Sequence, residues 1–280
     1  MQTAQASEPI MPEWCKAFAD IFFKKSHNQH SPHHSYDHTI ELCPDFVPKI
    51  AKVYSLNPAE METCKDFVKE HLTTGHIVPL KFLLASPFFF IQKKDGTLQP
   101  CQNYHYLNSH TIQNAYPLPL IPELVDNMKK FTLFTKFNIC WGYDNIWIWE
   151  EYQWKAAFIT SMGLLEPMVI SFRFCNAPPT IQAFMNHIFT DMLAEKWLKI
   201  YMDDLGIHTK DNVPSTTSAL NGYFNVFRNM GYQSNSPNVC LMPLTWNFWA
   251  WSLGRERIKM DKKKLEAIKE WKPPTSVKGV

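Results

Sequence analysis

Lys199-Ile200-Tyr201-Met202-Asp203-Asp204-Leu205-Gly206-Ile207-His208 is the stretch whose reading decides the fold. Lys199 to Met202 and Leu205 to His208 carry the short-range alternation of half-buried strands, so the pattern predicts a strand, a tight turn at Asp203-Asp204 and a returning strand. Two adjacent carboxylates at a hairpin tip between apolar strands are costly unless a cation or a solvated turn balances them. Mg²⁺ is the natural balance, because a hard cation prefers carboxylate oxygen. The plain alternative is an exposed acidic turn with no role, and for an isolated Asp-Asp pair it is the better reading. The flanks change the odds.

Upstream of the hairpin, Ala177 to Leu193 reads as a long amphipathic helix opened by Pro178-Pro179. Phe134 to Ile139, Ile146 to Trp149 and Ala156 to Thr160 read as strands, and Ser218 to Met230 as a further helix. Nearer the N-terminus, Asn57-Pro58-Ala59-Glu60 has the form of a helix start, with Asn as N-cap, Pro at the first position and Glu at the third. Met61, Cys64, Phe67, Val68 and Leu72 continue it at helical spacing, and Gly75 suits its C-terminal cap. Phe88 to Lys93 reads as a strand, Lys94-Asp95-Gly96-Thr97 as a hairpin turn, and Tyr116-Pro117-Leu118-Pro119 as an extended linker before a short helix at Glu123 to Met128. Helices lie between antiparallel strands with no internal repeat, so the class is α+β.

The 280 residues suffice for one large domain or two modest ones. A hydrophobic share of 45% with 19% charged residues excludes general disorder. The net charge of +2 supports a nucleic-acid partner only weakly, and the basic residues are Lys apart from Arg173, Arg228, Arg255 and Arg257. Seven Cys, an odd number without a C-x-x-C pair, argue against a disulfide framework and a zinc ribbon and fit a reducing intracellular compartment. His27, His30, His33, His34 and His38 crowd one stretch, but no Cys or acidic partner completes a ligand spacing, so a solvated linker is the favoured reading over a zinc site. No signal peptide is evident, and the longest apolar run, Leu83 to Ile91, is too short to span a bilayer and contains Pro87.

The motifs, taken together and in order, resemble the reverse transcriptase of gypsy-type long-terminal-repeat retrotransposons. Tyr36-Asp37-His38 and Asn57-Pro58-Ala59-Glu60 match an upstream segment. Leu72 to Ile77, Ala85-Ser86-Pro87, Lys93 to Leu98 and Tyr116 to Ile121 follow. Trp141-Gly142-Tyr143, Trp154 to Phe158, Asn176-Ala177-Pro178, the Tyr201-Met202-Asp203-Asp204 turn, Met260-Asp261 and Ala267-Ile268 complete the series. Chance agreement in one tetrapeptide is conceivable; agreement in this many, in order, is not. The resemblance implies a right-hand polymerase fold of fingers and palm, with an antiparallel palm sheet, packed helices and the start of a thumb. It divides the chain into an N-terminal extension or linker at 1–56, fingers and palm at 57–254, and the start of the thumb or connection at 255–280. It implies template-directed nucleotidyl transfer with two Mg²⁺ ions, an RNA or DNA template-primer and deoxynucleotide triphosphates as partners, no membrane, and a cytoplasmic virus-like particle or the nucleus as location. Carried over by position, Asp203 and Asp204 are the catalytic and metal-binding carboxylates, with Asp203 the more direct ligand. Tyr143 presses on the sugar, Lys93 and Gln99 stand at the triphosphate, Phe172 and Arg173 line the nucleotide pocket, and Phe248-Trp249-Ala250 occupies the primer grip. The RNase H, protease and integrase domains of such elements are not expected within this chain.

Several positions depart from the family pattern. Asn138 stands where the first palm strand ends in Asp, so the second metal loses a charged ligand. Arg173 stands where a Gly lets backbone approach the nucleotide. Asn103 replaces an Asp, and His105 and Gln99 replace Arg. Asp144 lies beyond the palm strand's end and is not expected to substitute for the lost Asp. Together these changes point to an impaired copy. Cys140, Trp147, Gln99 and His105 in place of Arg, with Asn138, Asn103 and Arg173, are single C→T or G→A steps. Decay by deamination would leave TG or CA in the codons for Cys140, Trp147, Gln99 and His105. The alternative function is a non-catalytic nucleic-acid-binding remnant, with Lys262-Lys263-Lys264 as a candidate surface, although a solvated helix face is the favoured reading of those lysines.

Overall fold

The computed structural model describes residues 33–81, 84–93, 96–128, 133–138, 142–209, 221–222, 224–226, 246–248, 251–253, 258–260, 266 and 269. The first helix, α1 (Pro58–Thr74), is fixed at both ends by local chemistry. The Asn57 side chain accepts from the Glu60 N–H at 2.8 Å, and the Glu60 carboxylate accepts from the Asn57 N–H at 2.8 Å. This reciprocal capping box satisfies two otherwise orphaned donors. Gly75 ends the helix in the left-handed region at φ 72 and returns its N–H to the last turn. The buried face of α1, Cys64 and Val68 with Phe67 beside them, packs on Phe88 and Phe90 together with Ile77, Phe158 and Leu165.

Those apolar residues belong to a five-stranded sheet. Its strands are β1 (Ile77–Pro79), β2 (Ser86–Gln92), β3 (Leu98–Gln102), β5 (Phe158–Thr160) and β6 (Gly163–Pro167), in the order β1-β6-β5-β2-β3. The β2–β5 pair is parallel and the other pairs are antiparallel. A short helix α2 (His105–Ser109) and the extended residues 111–120 lead to α3 (Ile121–Met128) and then to β4 (Leu133–Asn138). A 3₁₀ turn at Gly142–Asn145, α4 (Glu150–Gln153) and a second 3₁₀ turn at Trp154–Ala156 precede β5.

The second half builds a three-stranded antiparallel sheet. α5 (Ala177–Ile188) and α6 (Thr190–Ala194) are followed by β7 (Leu198–Tyr201) and β8 (Asp204–Thr209), and the sheet order is β4-β8-β7. Leu198, Ile200, Leu205 and Ile207 pack with Ile181, Phe184 and Met185 of α5, and Ile146, Ile170, Phe174 and Tyr104 join the same core. Apolar residues alternate along β7 and β8, so one face of the sheet takes the helix, as the pleat requires. A further small sheet, β9 (Trp246–Phe248), β10 (Trp251–Leu253) and β11 (Ile258–Met260), runs in the order β11-β10-β9, with β9 approaching β4.

Residues 33–56 cross the body as a strap. His38 bridges Ile148, Leu42 bridges Thr111 and Ile50 bridges Ala85. Ile40 is buried in the main core. The end of the His-rich stretch is therefore not solvated as expected. Asp37 and His38 are buried, with the His38 ring stacked on Phe174 and hydrogen-bonded to the Thr180 hydroxyl at 2.8 Å. Residues 1–32 lie outside the described residues.

The expected elements differ from the observed ones in instructive ways. The helix expected over 177–193 is interrupted at Phe189, where the Thr190 hydroxyl bonds the carbonyls of Asn186 and His187 at 2.9 and 2.7 Å. Such back-bonding competes with the helix ladder and bends it. The strand expected at Ile146 to Trp149 is a pair of single bridges, Trp147 with Val169 and Ile148 with His38, because its two neighbours touch it at separate points. Of the helix expected at Ser218 to Met230, Asn221, Gly222 and residues 224–226 are helical, and the rest lies outside the described residues. No helix among the described residues is long and apolar enough to cross a membrane.

Candidate active site

The register of the second sheet defines the carboxylate turn. Tyr201 pairs with Asp204, which leaves Met202 and Asp203 as the two turn residues, one position earlier than the sequence pattern suggests. Asp204 thus opens β8 rather than capping the tip. Met202 has a positive φ of 52, and Asp203 is not among the residues with positive φ. That sign pattern is the one of a II′ hairpin turn, whose first central position favours Gly. A side chain there costs roughly 1–2 kcal/mol, so the surroundings must hold it. The Met202 N–H donates to the Gln182 side-chain oxygen at 2.8 Å, and Gln182 is fully buried on α5. On the other edge of β8, Asn138 stands directly opposite Asp204, at the last position of the β4–β8 ladder.

Tyr143 lies in the 3₁₀ turn that follows β4. Burial raises its phenol, and the negative charge of Asp203 raises it further, so the two side chains share one neighbourhood. The Tyr143 and Phe172 rings meet edge-on, with centroids 6.2 Å apart. Phe172 is exposed, and the Arg173 guanidinium sits 4.8 Å from its ring centroid, a cation–π distance. The Arg173 Nε is buried with no hydrogen-bond partner among the described residues. Burial pushes the Cys101 thiol up, and the Arg173 charge opposes that shift, which puts the guanidinium near β3. Asn108 holds the loop: its amide donates to the Arg173 carbonyl at 2.8 Å and its oxygen accepts from the Cys175 N–H at 3.0 Å. Asp144, partly buried beside Tyr143, has its carboxyl raised to about 7 by burial.

Asp203, Asp204, Tyr143, Phe172, Arg173 and the backbone of Asn138 are thus gathered around one end of the second sheet. Lys93 and Gln99 belong to the β2–β3 hairpin, where the Lys93 N–H reaches the Thr97 carbonyl at 2.8 Å and Gly96 takes a φ of 84. Phe248 ends β9, on the strand that approaches β4; Trp249 and Ala250 lie outside the described residues. Among the described residues, no group of three His, Cys, Asp or Glu side chains is placed to hold a metal. Gln182 is the residue that the sequence reading missed. An amide between Ile181 and Phe184 in an apolar helix carries no local mark of its role.

Residues 91–248, more than half of the chain, match the family described as Reverse transcriptase (RNA-dependent DNA polymerase). The Transposon Tf2-3 polyprotein of Schizosaccharomyces pombe is 31% identical over 204 residues, which is 72% of this chain and 15% of that polyprotein. The Tf2-7 polyprotein of the same organism aligns to the same extent. The chain therefore spans a small part of these relatives. Among solved structures, the foamy viral protease-reverse transcriptase dRH in complex with double-stranded DNA superposes with a TM-score of 0.80 at 15% identity, over 95% of this chain and 46% of that one. The foamy viral protease-reverse transcriptase with an RNA/DNA hybrid gives a TM-score of 0.77 at 13% identity, over 95% and 35%. At that identity the likeness shows the fold, the α+β right hand of polymerases. Fold, motif order and sequence identity agree, and the chain belongs to the reverse transcriptase family, as a domain of the long-terminal-repeat retrotransposon type.

Proposed function

We propose that this chain is the RNA-directed DNA polymerase domain of a retrotransposon polyprotein, with its nucleotidyl-transfer site at the β7–β8 turn, and that this copy is catalytically impaired. The observation that carries the reading is the register of Asn138 opposite Asp204. Directly opposed residues of an antiparallel pair lie roughly 4.5–5.5 Å apart between Cα atoms. Position 138 and the turn are then within reach of shared cations.

Reverse transcriptases generally use divalent metal ions. Asp203 and Asp204 supply the anionic oxygen that hard Mg²⁺ prefers, and they would hold it. Position 138 contributes a neutral amide, so the donor set fits one ion well and a second poorly. When bound, Mg²⁺ stabilises charge on the attacking and leaving oxygens. In the reaction the primer 3′-oxygen bonds to the α-phosphorus, the α–β phosphoanhydride bond breaks, pyrophosphate leaves with the electron pair, and the hydroxyl proton passes to solvent. Tyr143 bears on the sugar, Phe172 and Arg173 bound the nucleotide pocket, Lys93 and Gln99 face the triphosphate, and Phe248-Trp249-Ala250 grips the primer. Residues 57–254 form fingers and palm, 1–56 an N-terminal extension and 255–280 the start of the thumb. The template-primer is RNA or DNA, and the site of action is intracellular.

The impairment has two parts. Loss of one well-placed electrostatic group at a reacting centre costs roughly 10²–10³ in rate. Arg173 fills space where nucleotide must sit and raises its apparent KM. Primer extension by the parent, Asn138→Asp, Arg173→Gly and the double variant, each in Mg²⁺ and Mn²⁺, tests this. The parent is expected to extend little, Mn²⁺ to help it partly, and only the double variant to extend well. Robust extension by the parent, or full rescue by Asn138→Asp alone, overturns the reading. Asn138 also favours a second reading, a nucleic-acid-binding remnant, because the change removes charge for chemistry without closing a groove. Tight primer-template binding with no extension by the double variant would support it.

A further inference from the structure

A chain of side-chain hydrogen bonds runs from the carboxylate turn to the linker that joins the two sheets. The Met202 N–H donates to Gln182 Oε1 at 2.8 Å. The Gln182 amide donates to Asn186 Oδ1 at 2.9 Å, with a longer contact of 3.4 Å to the Ile200 carbonyl. The Asn186 amide donates to the Tyr116 hydroxyl at 2.8 Å. Tyr116 belongs to the extended residues 111–120, which are tied to the start of α5 by a second set of amides. The Asn114 N–H donates to Asn176 Oδ1 at 3.0 Å, the Asn176 amide to the Ile112 carbonyl at 2.8 Å, and the Tyr116 N–H to Asn114 Oδ1 at 2.9 Å.

We propose that Tyr116, Asn186 and Gln182 are positioning residues that set the Met202 backbone, and with it the Asp203-Asp204 carboxylates, according to the placement of the 111–120 linker. The polarity of the chain is the reason. A carboxamide has one accepting and one donating end, so each amide's orientation fixes the next. The Met202 N–H can only donate, so Gln182 turns its oxygen to Met202 and its amide to Asn186, and Asn186 gives its own amide to the Tyr116 hydroxyl. Without the phenol the Asn186 amide loses this acceptor, Asn186 is no longer anchored, and the hold of Gln182 on the Met202 N–H loosens. That N–H belongs to a residue in the left-handed region, which persists only when its surroundings over-determine it. Gln182 is fully buried, so no water replaces the lost acceptor without rearrangement.

The role in catalysis rests on the polymerase reading, but the test needs neither metal nor nucleic acid, so the two fail separately. Protein labelled with ¹⁵N-methionine gives an amide signal for Met202, assigned by Met202→Leu, with the buried Met185 and Met192 as internal references for the fold. Tyr116→Phe is expected to shift the Met202 signal and speed its hydrogen exchange roughly five- to tenfold, the effect of one lost hydrogen bond, while Met185 and Met192 keep their rates. Gln182→Glu keeps an acceptor for Met202 and removes the donor to Asn186. It should preserve the protection of Met202, and Tyr116→Phe in that background should add nothing. An unchanged Met202 in Tyr116→Phe, an undiminished effect in the Gln182→Glu background, or equal changes at all three methionines would each overturn the proposal.

Discussion

Asp144 carries a carboxyl that burial raises from 3.8 to about 7, against the direction that catalysis by an ionised site needs. A raised carboxyl pKa means that the folded protein binds a proton that the unfolded chain releases between those values. Its contribution to stability is intact below pH 3.8 and lost as pH rises to 7. Asp144→Asn is therefore expected to stabilise the protein, by little at pH 4 and by up to a few kcal/mol at pH 8, read from urea midpoints at the two pH values. A gain independent of pH would show that the carboxyl is not desolvated. The grouping of Asp203 and Asp204 with Tyr143 and Phe172 at one end of the second sheet was legible from residue type and order. Gln182 was not, because its importance comes from a contact with Met202 across the fold rather than from its neighbours in sequence.

The helix α1 was readable from one sequence because both of its ends are chemical. Asn57, Pro58, Glu60 and Gly75 are each the residue that their position requires. Asn57→Ala should lower the unfolding free energy by about 1 kcal/mol, while Asn57→Asp, which keeps an acceptor oxygen, should cost little. Equal losses in denaturant titrations of the two variants would contradict the capping assignment. Where an element's limits depend on distant partners, the pattern was less informative. The β7–β8 turn falls one residue early because Tyr201 pairs with Asp204, and nothing local distinguishes that register from its neighbour. The break at Phe189 likewise depends on a Thr190 hydroxyl choosing helix carbonyls over solvent.

For the molecule as a whole, the strap at residues 33–56 joins the two halves of the described body and inserts His38 between Thr180 and Phe174. Burial lowers the His38 pKa from 6.5 to about 4, and burial with the nearby Lys199 charge lowers that of His208 to about 4 as well. A lowered His pKa means that the unfolded chain binds the extra proton between those values. The stability is present above pH 6.5 and falls as pH drops towards 4, opposite in sign to the Asp144 contribution. His38→Gln should flatten that decline in part, leaving the His208 share, and an unaltered pH profile would place His38 outside the core. The overall topology followed from motif order, whereas the burial of the strap did not, because polar residues such as Asp37 and His38 give no apolar period. The proposed polymerase site carries a neutral amide at position 138, where a charged metal ligand is expected. Mn²⁺ stoichiometry, measured by calorimetry with primer-template and a non-hydrolysable nucleotide present, tests it most directly. The Asn138→Asp protein is expected to take up one ion more per chain than the parent in the micromolar range. Equal stoichiometry in the two proteins would contradict the account.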